Sequence, residues 1–294
     1  MAKSYQHSLF KVYCYRGLVK RIPELPEITV VASQMDKEIT GKKIADIEVK
    51  QPKNLNMSVP AFAKIVKGKT VSGVSSHGKW LFVKLSSNYY MLVNLGMGAE
   101  LLYFAKAQKL PEKYHFKLAF SDGTGFTAHF WWFGYIHLVR EKELHKHKMT
   151  AQLGKPATDR TFTLAYFKEL LAGKKTGIKT FLLDQKNLAG IGNVYVQDIL
   201  FKAKLHPNRK ISTLSEKEIT DLYHAVRDVL NHSIKLKGLA YERDFYGQKG
   251  KLTVEGFLVG YKTGKPCPEC GATIEKIKTG STSSYICPKC QKQT

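Results

Sequence analysis

The sequence predicts a multidomain α+β chain on three observations: strand-like alternation over residues 42–140, helical periodicity after Thr161, and a paired-cysteine pattern near the end. At 294 residues with 43% hydrophobic content, the chain can bury a real core and is long enough for two domains.

The elements follow in order. Leu25-Pro26-Glu27 opens a stretch with Ile28, Val31, Met35 and Ile39 at helical spacing, and a first-turn proline suits a helix start. One helix therefore precedes the sheet. Alternating runs at Ile47 and Val49, Leu81 to Leu85, Tyr90 to Leu95, Phe116 to Phe120 and Tyr135 to Val139 read as strands of a β-sandwich or barrel. The segment from Met149 to Arg160, polar or small with Gly154 and Pro156, reads as a linker. Beyond it, Ser215 and Glu218 form a capping box before Ile219, Leu222, Tyr223, Val226 and Leu230, and Gly238 ends that helix. The predicted divisions are an extension over 1–22, a sandwich domain over 23–148, the linker over 149–160, a helical domain over 161–262 and a zinc finger over 263–294.

Cys267-Pro-Glu-Cys270 and Cys287-Pro-Lys-Cys290, with Gly271 and Gly280 between them, have the spacing of a four-thiolate zinc ribbon. Two residues between paired cysteines let both sulfurs reach one tetrahedral Zn²⁺. Disulfides are the alternative, but no secretory signal precedes them, and four of the five cysteines fall into this one pattern. Cys14 is given no role. Forty-seven Lys and Arg against 24 Asp and Glu give a formal charge of +23, which calls for a polyanionic partner, and nucleic acid is the first choice. No apolar run approaches the ~18 to 20 residues that span a bilayer, and the lysines are dispersed, so a membrane is excluded as partner.

Three motifs carry a resemblance. Pro23-Glu24-Leu25-Pro26-Glu27 resembles the N-terminal signature of the formamidopyrimidine-DNA glycosylase and endonuclease VIII family, whose mature chains begin with that proline. Asn94-Leu95-Gly96-Met97 is similar to the family strand motif that ends in a helix-filling methionine, and Leu188 to Tyr195 to its helix-two-turn-helix DNA clamp. With the zinc ribbon, the resemblance runs from residue 23 to the C-terminus. It implies a bacterial, cytoplasmic, nucleoid-associated monomer that acts on double-stranded DNA containing a damaged base or an abasic site. The implied activity is a repair glycosylase with coupled lyase chemistry, dependent on one structural Zn²⁺.

On that resemblance, Pro23 is the nucleophile, since a terminal secondary amine can attack C1′, release the base and leave an iminium ion. Glu24 is the acid that assists base departure. Glu27 supports the site, although both carboxylates equally suit a helix N-terminus. Lys79, in His77-Gly78-Lys79-Trp80, meets the phosphate beside the lesion. Asn193 and Lys179 are further phosphate contacts, with an ordinary N-cap as the alternative for Asn193. Met97 and Phe133 are apolar wedges, and Tyr241 to Glu255 is the lesion-capping segment.

The sequence departs from the family at three places. Twenty-two residues precede Pro23 and make its nitrogen an amide. Ile22 stands where an initiator Met would, so residues 1–22 read as a misassigned upstream translation, with a removable targeting piece as the alternative. Thr282 occupies the place of the family's hairpin arginine, leaving the hydroxyls of Ser281, Thr282 and Ser284 as weaker phosphate donors. Trp131-Trp132-Phe133 replaces an Arg-Arg-Phe wedge, exchanging base-edge hydrogen bonds for a stacking face at Trp131. By alternation, one tryptophan is expected to face the DNA, and packing of both in the core is the alternative. These departures leave open a second function, a catalytically impaired protein that binds damaged DNA or a DNA structure.

Overall fold

The computed structural model describes residues 22–293. Except for Ile22, the expected extension lies outside the described residues, as does Cys14. Helix α1 (Leu25–Ile39) starts where Pro26 preorganises the first turn and the Glu27 carboxylate accepts the Glu24 N–H at 3.0 Å. Its apolar stripe of Ile28, Val31, Met35 and Ile39 is fully buried, as the spacing predicts.

Two antiparallel four-stranded sheets follow and pack face to face. One has the order β1 (Ile44–Val49), β6 (Phe116–Phe120), β7 (Gly125–His129) and β5 (Glu100–Phe104). The other has β2 (Val71–His77), β3 (Trp80–Leu85), β4 (Tyr89–Asn94) and β8 (Tyr135–Arg140). Alternation decides what faces inward. Phe116, Leu118 and Phe120 of β6 share one core with Leu81, Val83 and Leu85 of β3 and with the stripe of α1. The sheet region also contains α2 (Val59–Val66), which places Phe62 and Val66 in that core and which the sequence reading did not locate. Eight residues of helix with Pro60 in the first turn read as a short apolar run, which periodicity cannot separate from a strand.

A second core joins α3 (Leu164–Leu171), α4 (Ile178–Leu183), α5 (Tyr195–Lys202) and α6 (Glu216–Lys235). The Ser215 hydroxyl accepts the Glu218 N–H and the Glu218 carboxylate accepts the Ser215 N–H, so the predicted capping box is present. Past the helix end, Gly238 has a φ of 82°. The ribbon hairpin, β9 (Glu275–Thr279) and β10 (Thr282–Ile286), has a small apolar cluster of its own with Phe201 and Val259.

The segment from Tyr241 to Glu255 reaches back to the sandwich. Phe245 is 0% exposed within the first core, its ring centroid 5.7 Å from Tyr103 and 6.2 Å from Phe126. Tyr103 N–H donates to the Phe245 carbonyl at 2.8 Å, and Phe245 N–H donates to Gln34 Oε1 at 2.9 Å. A chain segment C-terminal to the helices thus completes an N-terminal core. Phe245→Ala should lower unfolding free energy by ~3–5 kcal/mol, as truncation of a buried ring does. Urea denaturation checks this, and a loss under 1 kcal/mol would show that the segment only rests on the sandwich.

Candidate active site and nucleic-acid interface

Glu24 leaves its own helix and caps another. Its carboxylate is buried and accepts N–H groups of Gly192 at 2.8 Å, Val194 at 2.9 Å and Tyr195 at 3.4 Å, the otherwise orphaned donors at the start of α5. The approach needs glycine. A side chain at Gly192 would overlap both the Glu24 carboxylate and the Lys79 ammonium, so these two groups flank one backbone atom. Pro23 is buried immediately beside Glu24. The structure therefore brings Glu24 and Lys79 together at the seam between the two cores, with Pro23 next to Glu24 in the chain.

Burial raises the pKa of Glu24, while the Lys79 charge and the three N–H groups act in the opposite direction. Glu27 lies behind it. Its carboxylate accepts the Tyr195 hydroxyl and the Leu239 N–H as well as the Glu24 N–H, and the Tyr195 oxygen is 2.6 Å from Ser233 Oγ. This joins α1, α5 and the end of α6 through buried polar atoms.

Met97 and Phe133 are half-buried on adjoining loops. Gly96, at φ 62°, is pressed against the Phe133 carbonyl so closely that no side chain fits between the loops. Trp131 and Trp132 are 44% and 47% exposed with ring centroids 6.4 Å apart. Neither is core, which removes the alternative of core packing, and the loop between Phe130 and Gly134 is not strand.

The side chains expected at the phosphates have partners inside the protein. Lys179 is 1% exposed and donates to Thr282 Oγ1 at 2.9 Å, the Ser283 carbonyl at 2.7 Å and Ser284 Oγ at 2.9 Å. Its ammonium donates to the ribbon hairpin at all three points, which makes it a docking residue; burial lowers its pKa to about 8. The Thr282 hydroxyl donates to the Thr279 carbonyl, and Ser284 is buried with its Oγ 2.7 Å from Thr279 Oγ1. Asn193 does not cap α5. Val194 holds the cap position without a side-chain bond and Glu24 serves instead, while Asn193 Oδ1 accepts from Gln197 Nε2 at 3.1 Å. Gln197 escaped the sequence reading. Its position four residues after Asn193 on a helix was the available signal.

Cys267, Cys270, Cys287 and Cys290 place their sulfurs within 4.8 Å of one another. The 270–287 and 267–290 separations of 3.4 and 3.9 Å are too long for a disulfide. They suit a tetrahedral Zn²⁺, whose sulfurs lie about 3.8 Å apart at Zn–S distances of about 2.3 Å. The four thiolates hold one structural zinc, which folds the hairpin. Gln291 secures the knuckle, accepting the Cys287 N–H and donating to the Leu205 carbonyl.

Burial raises Glu27 from 4.5 to about 7, the Tyr195 hydroxyl opposing and Glu24 adding to the rise. The folded state therefore binds more protons than the unfolded state between those values. Its stability contribution is full below pH 4.5 and is lost as pH rises through about 7. Glu27→Gln should flatten the fall of stability across this window, by at most about 3 kcal/mol. Urea midpoints from pH 4.5 to 8 check the slope, and parallel curves for the two proteins would refute the shift.

Residues 22–131 match the formamidopyrimidine-DNA glycosylase N-terminal domain, 153–243 the H2TH domain of the same glycosylase, and 264–293 the zinc finger found in FPG and IleRS. The formamidopyrimidine-DNA glycosylase of Pelotomaculum thermopropionicum is 36% identical over 277 residues, 92% of this chain and 99% of that protein. That of Lactococcus lactis subsp. cremoris is 32% identical over 275 residues, 92% of this chain and 100% of that protein. Among solved structures, a complex between Lactococcus lactis Fpg and abasic-site DNA superposes with a TM-score of 0.83 at 31% identity, covering 92% of this chain and 99% of that one. A complex of the same enzyme with DNA containing N7-benzyl-Fapy-dG gives 0.83 at 32%, covering 92% and 100%. Among the described residues, no helix is long and apolar enough to cross a membrane. The chain belongs to the formamidopyrimidine-DNA glycosylase family.

Proposed function

We propose that the protein is a base-excision repair glycosylase with coupled abasic-site lyase activity, acting as a monomer at the bacterial nucleoid on duplex DNA with an oxidised or ring-opened base. The observation that carries this is the approach of Glu24 and Lys79 to each other at Gly192, with the buried Pro23 next to Glu24 in the chain. The free Pro23 nitrogen attacks C1′, and the base leaves with the electrons of the glycosidic bond. Glu24, whose burial favours the protonated form, supplies the proton for sugar-ring opening or base departure. The resulting iminium acidifies C2′–H, and loss of that proton expels the 3′ phosphate, then the 5′ phosphate by the same logic. Lys79 holds the phosphate beside the lesion. Asn193 donates to a neighbouring phosphate, while Met97, Phe133 and the two tryptophans fill the gap left by the everted nucleotide.

The family supports the enzyme over a binding-only protein, since relatives named as glycosylases match over 99–100% of their length. The amine chemistry belongs to the form that begins at Pro23, because the Ile22–Pro23 peptide bond removes the nucleophilic lone pair. The domain divisions at residues 148, 160 and 262 are part of this proposal.

Borohydride should trap protein beginning at Pro23 covalently on abasic-site DNA, and an acetylated terminus or an intact 1–22 extension should abolish trapping. Equal trapping by the blocked chain would overturn Pro23 as nucleophile. For the wedge, Trp131→Ala and Trp132→Ala should each shift stability by no more than about 0.5 kcal/mol, as for exposed side chains. Affinity for abasic-site DNA should drop by ~1–3 kcal/mol for whichever ring stacks on a base. Activity should vary little with the opposite base, since no arginine reads it. A strong cytosine preference would refute readout by stacking.

A further inference from the structure

We infer that Gln197 is a positioning residue that turns the Asn193 amide into a phosphate donor and takes its own orientation from the zinc-ribbon strand. This rests on the proposed phosphate contact of Asn193. Orientation begins at β10, where the Tyr285 N–H, which can only donate, meets Gln197 Oε1 at 3.0 Å. That bond fixes which end of the Gln197 amide is oxygen. Its Nε2 must then face the other way, where it meets the Asn193 carbonyl at 2.9 Å, Asn193 Oδ1 at 3.1 Å and the Ser283 carbonyl at 3.3 Å. Because Nε2 donates only, Asn193 turns its oxygen toward Gln197 and its NH₂ group away.

Burial makes this arrangement binding. Gln197 is 2% exposed, so water cannot replace these partners, whereas Asn193 is half-exposed. The charge balance at this helix end adds a second reason. The N–H groups of Gly192, Val194 and Tyr195 are already given to Glu24, so the Asn193 side chain is left to meet an anion from outside. A flipped Asn193 would present a carbonyl oxygen to that anion. The ribbon thus specifies the polarity of a group on a different element, through one glutamine.

The test is the affinity of the Pro23-terminated holoprotein for a duplex carrying a tetrahydrofuran abasic analogue, at one salt concentration. Gln197→Ala and Asn193→Ala should each weaken binding by about tenfold or more, the size of a lost hydrogen bond to a charged group. The double variant should be no weaker than the worse single one, because the two residues act as a unit. Losses that multiply, or Gln197→Ala binding like wild type, would overturn the inference and leave the Asn193 contact standing. A neutral Asn193→Ala would overturn both. Gln197→Glu guards against a general loss of docking. It keeps the acceptor for Tyr285 N–H and the ribbon's seat but removes the donors, so Asn193 reverses. Binding should fall at least as far as for Gln197→Ala, and the part caused by orientation should vanish when Asn193 is also alanine, whereas plain charge repulsion would persist. Zinc content of one per chain confirms that each variant keeps its ribbon.

Discussion

The site depends on one buried carboxylate that belongs to α1 and caps α5. Three N–H donors of α5 converge on Glu24, and pulling them apart would leave a desolvated charge or orphaned backbone donors, a penalty of several kcal/mol. The two cores therefore hold a fixed relation where the chemistry occurs. Glu27, Tyr195 and Ser233 repeat the device one layer deeper, and Phe245 repeats it with an apolar side chain. The nucleophile candidate gains its position from this geometry, because Pro23 has no freedom of its own next to a residue so tightly bonded.

Local patterns were legible in the sequence. The cysteine knuckles, the stripe of α1 and the Ser215–Glu218 box each depend on residues close in the chain, and each appears where its spacing predicts. The failures concern partners far apart. Nothing near Lys179 in the chain reveals that a hairpin 103 residues later covers it, and nothing near Gln197 reveals its partner on β10. Asn193 looked like an N-cap because no local rule reveals that a carboxylate 170 residues earlier in the chain occupies that role. The short helix α2 escaped for a different reason, since eight apolar-rich residues satisfy either period.

The charge excess has an internal counterpart. Glu24, Glu27, Asp198 and Asp244 are buried and spend their oxygens on backbone or side-chain donors within the protein. With these four acids turned inward, fewer carboxylates oppose the basic side chains at the surface, so the field that meets a phosphate backbone is more positive than an even spread of the same composition would give.

The ribbon is seated through main-chain atoms as well as through the Thr282 and Ser284 hydroxyls that accept from Lys179. Lys179 and Gln197 both grip the Ser283 carbonyl, Gln197 also takes the Tyr285 N–H, and Gln291 holds the Leu205 carbonyl from the other side. Peptide groups are the same whatever side chain they carry. The main-chain part of the berth therefore survives an exchange of residues at the hairpin tip, and a threonine can stand at position 282 while the strand behind it stays in register.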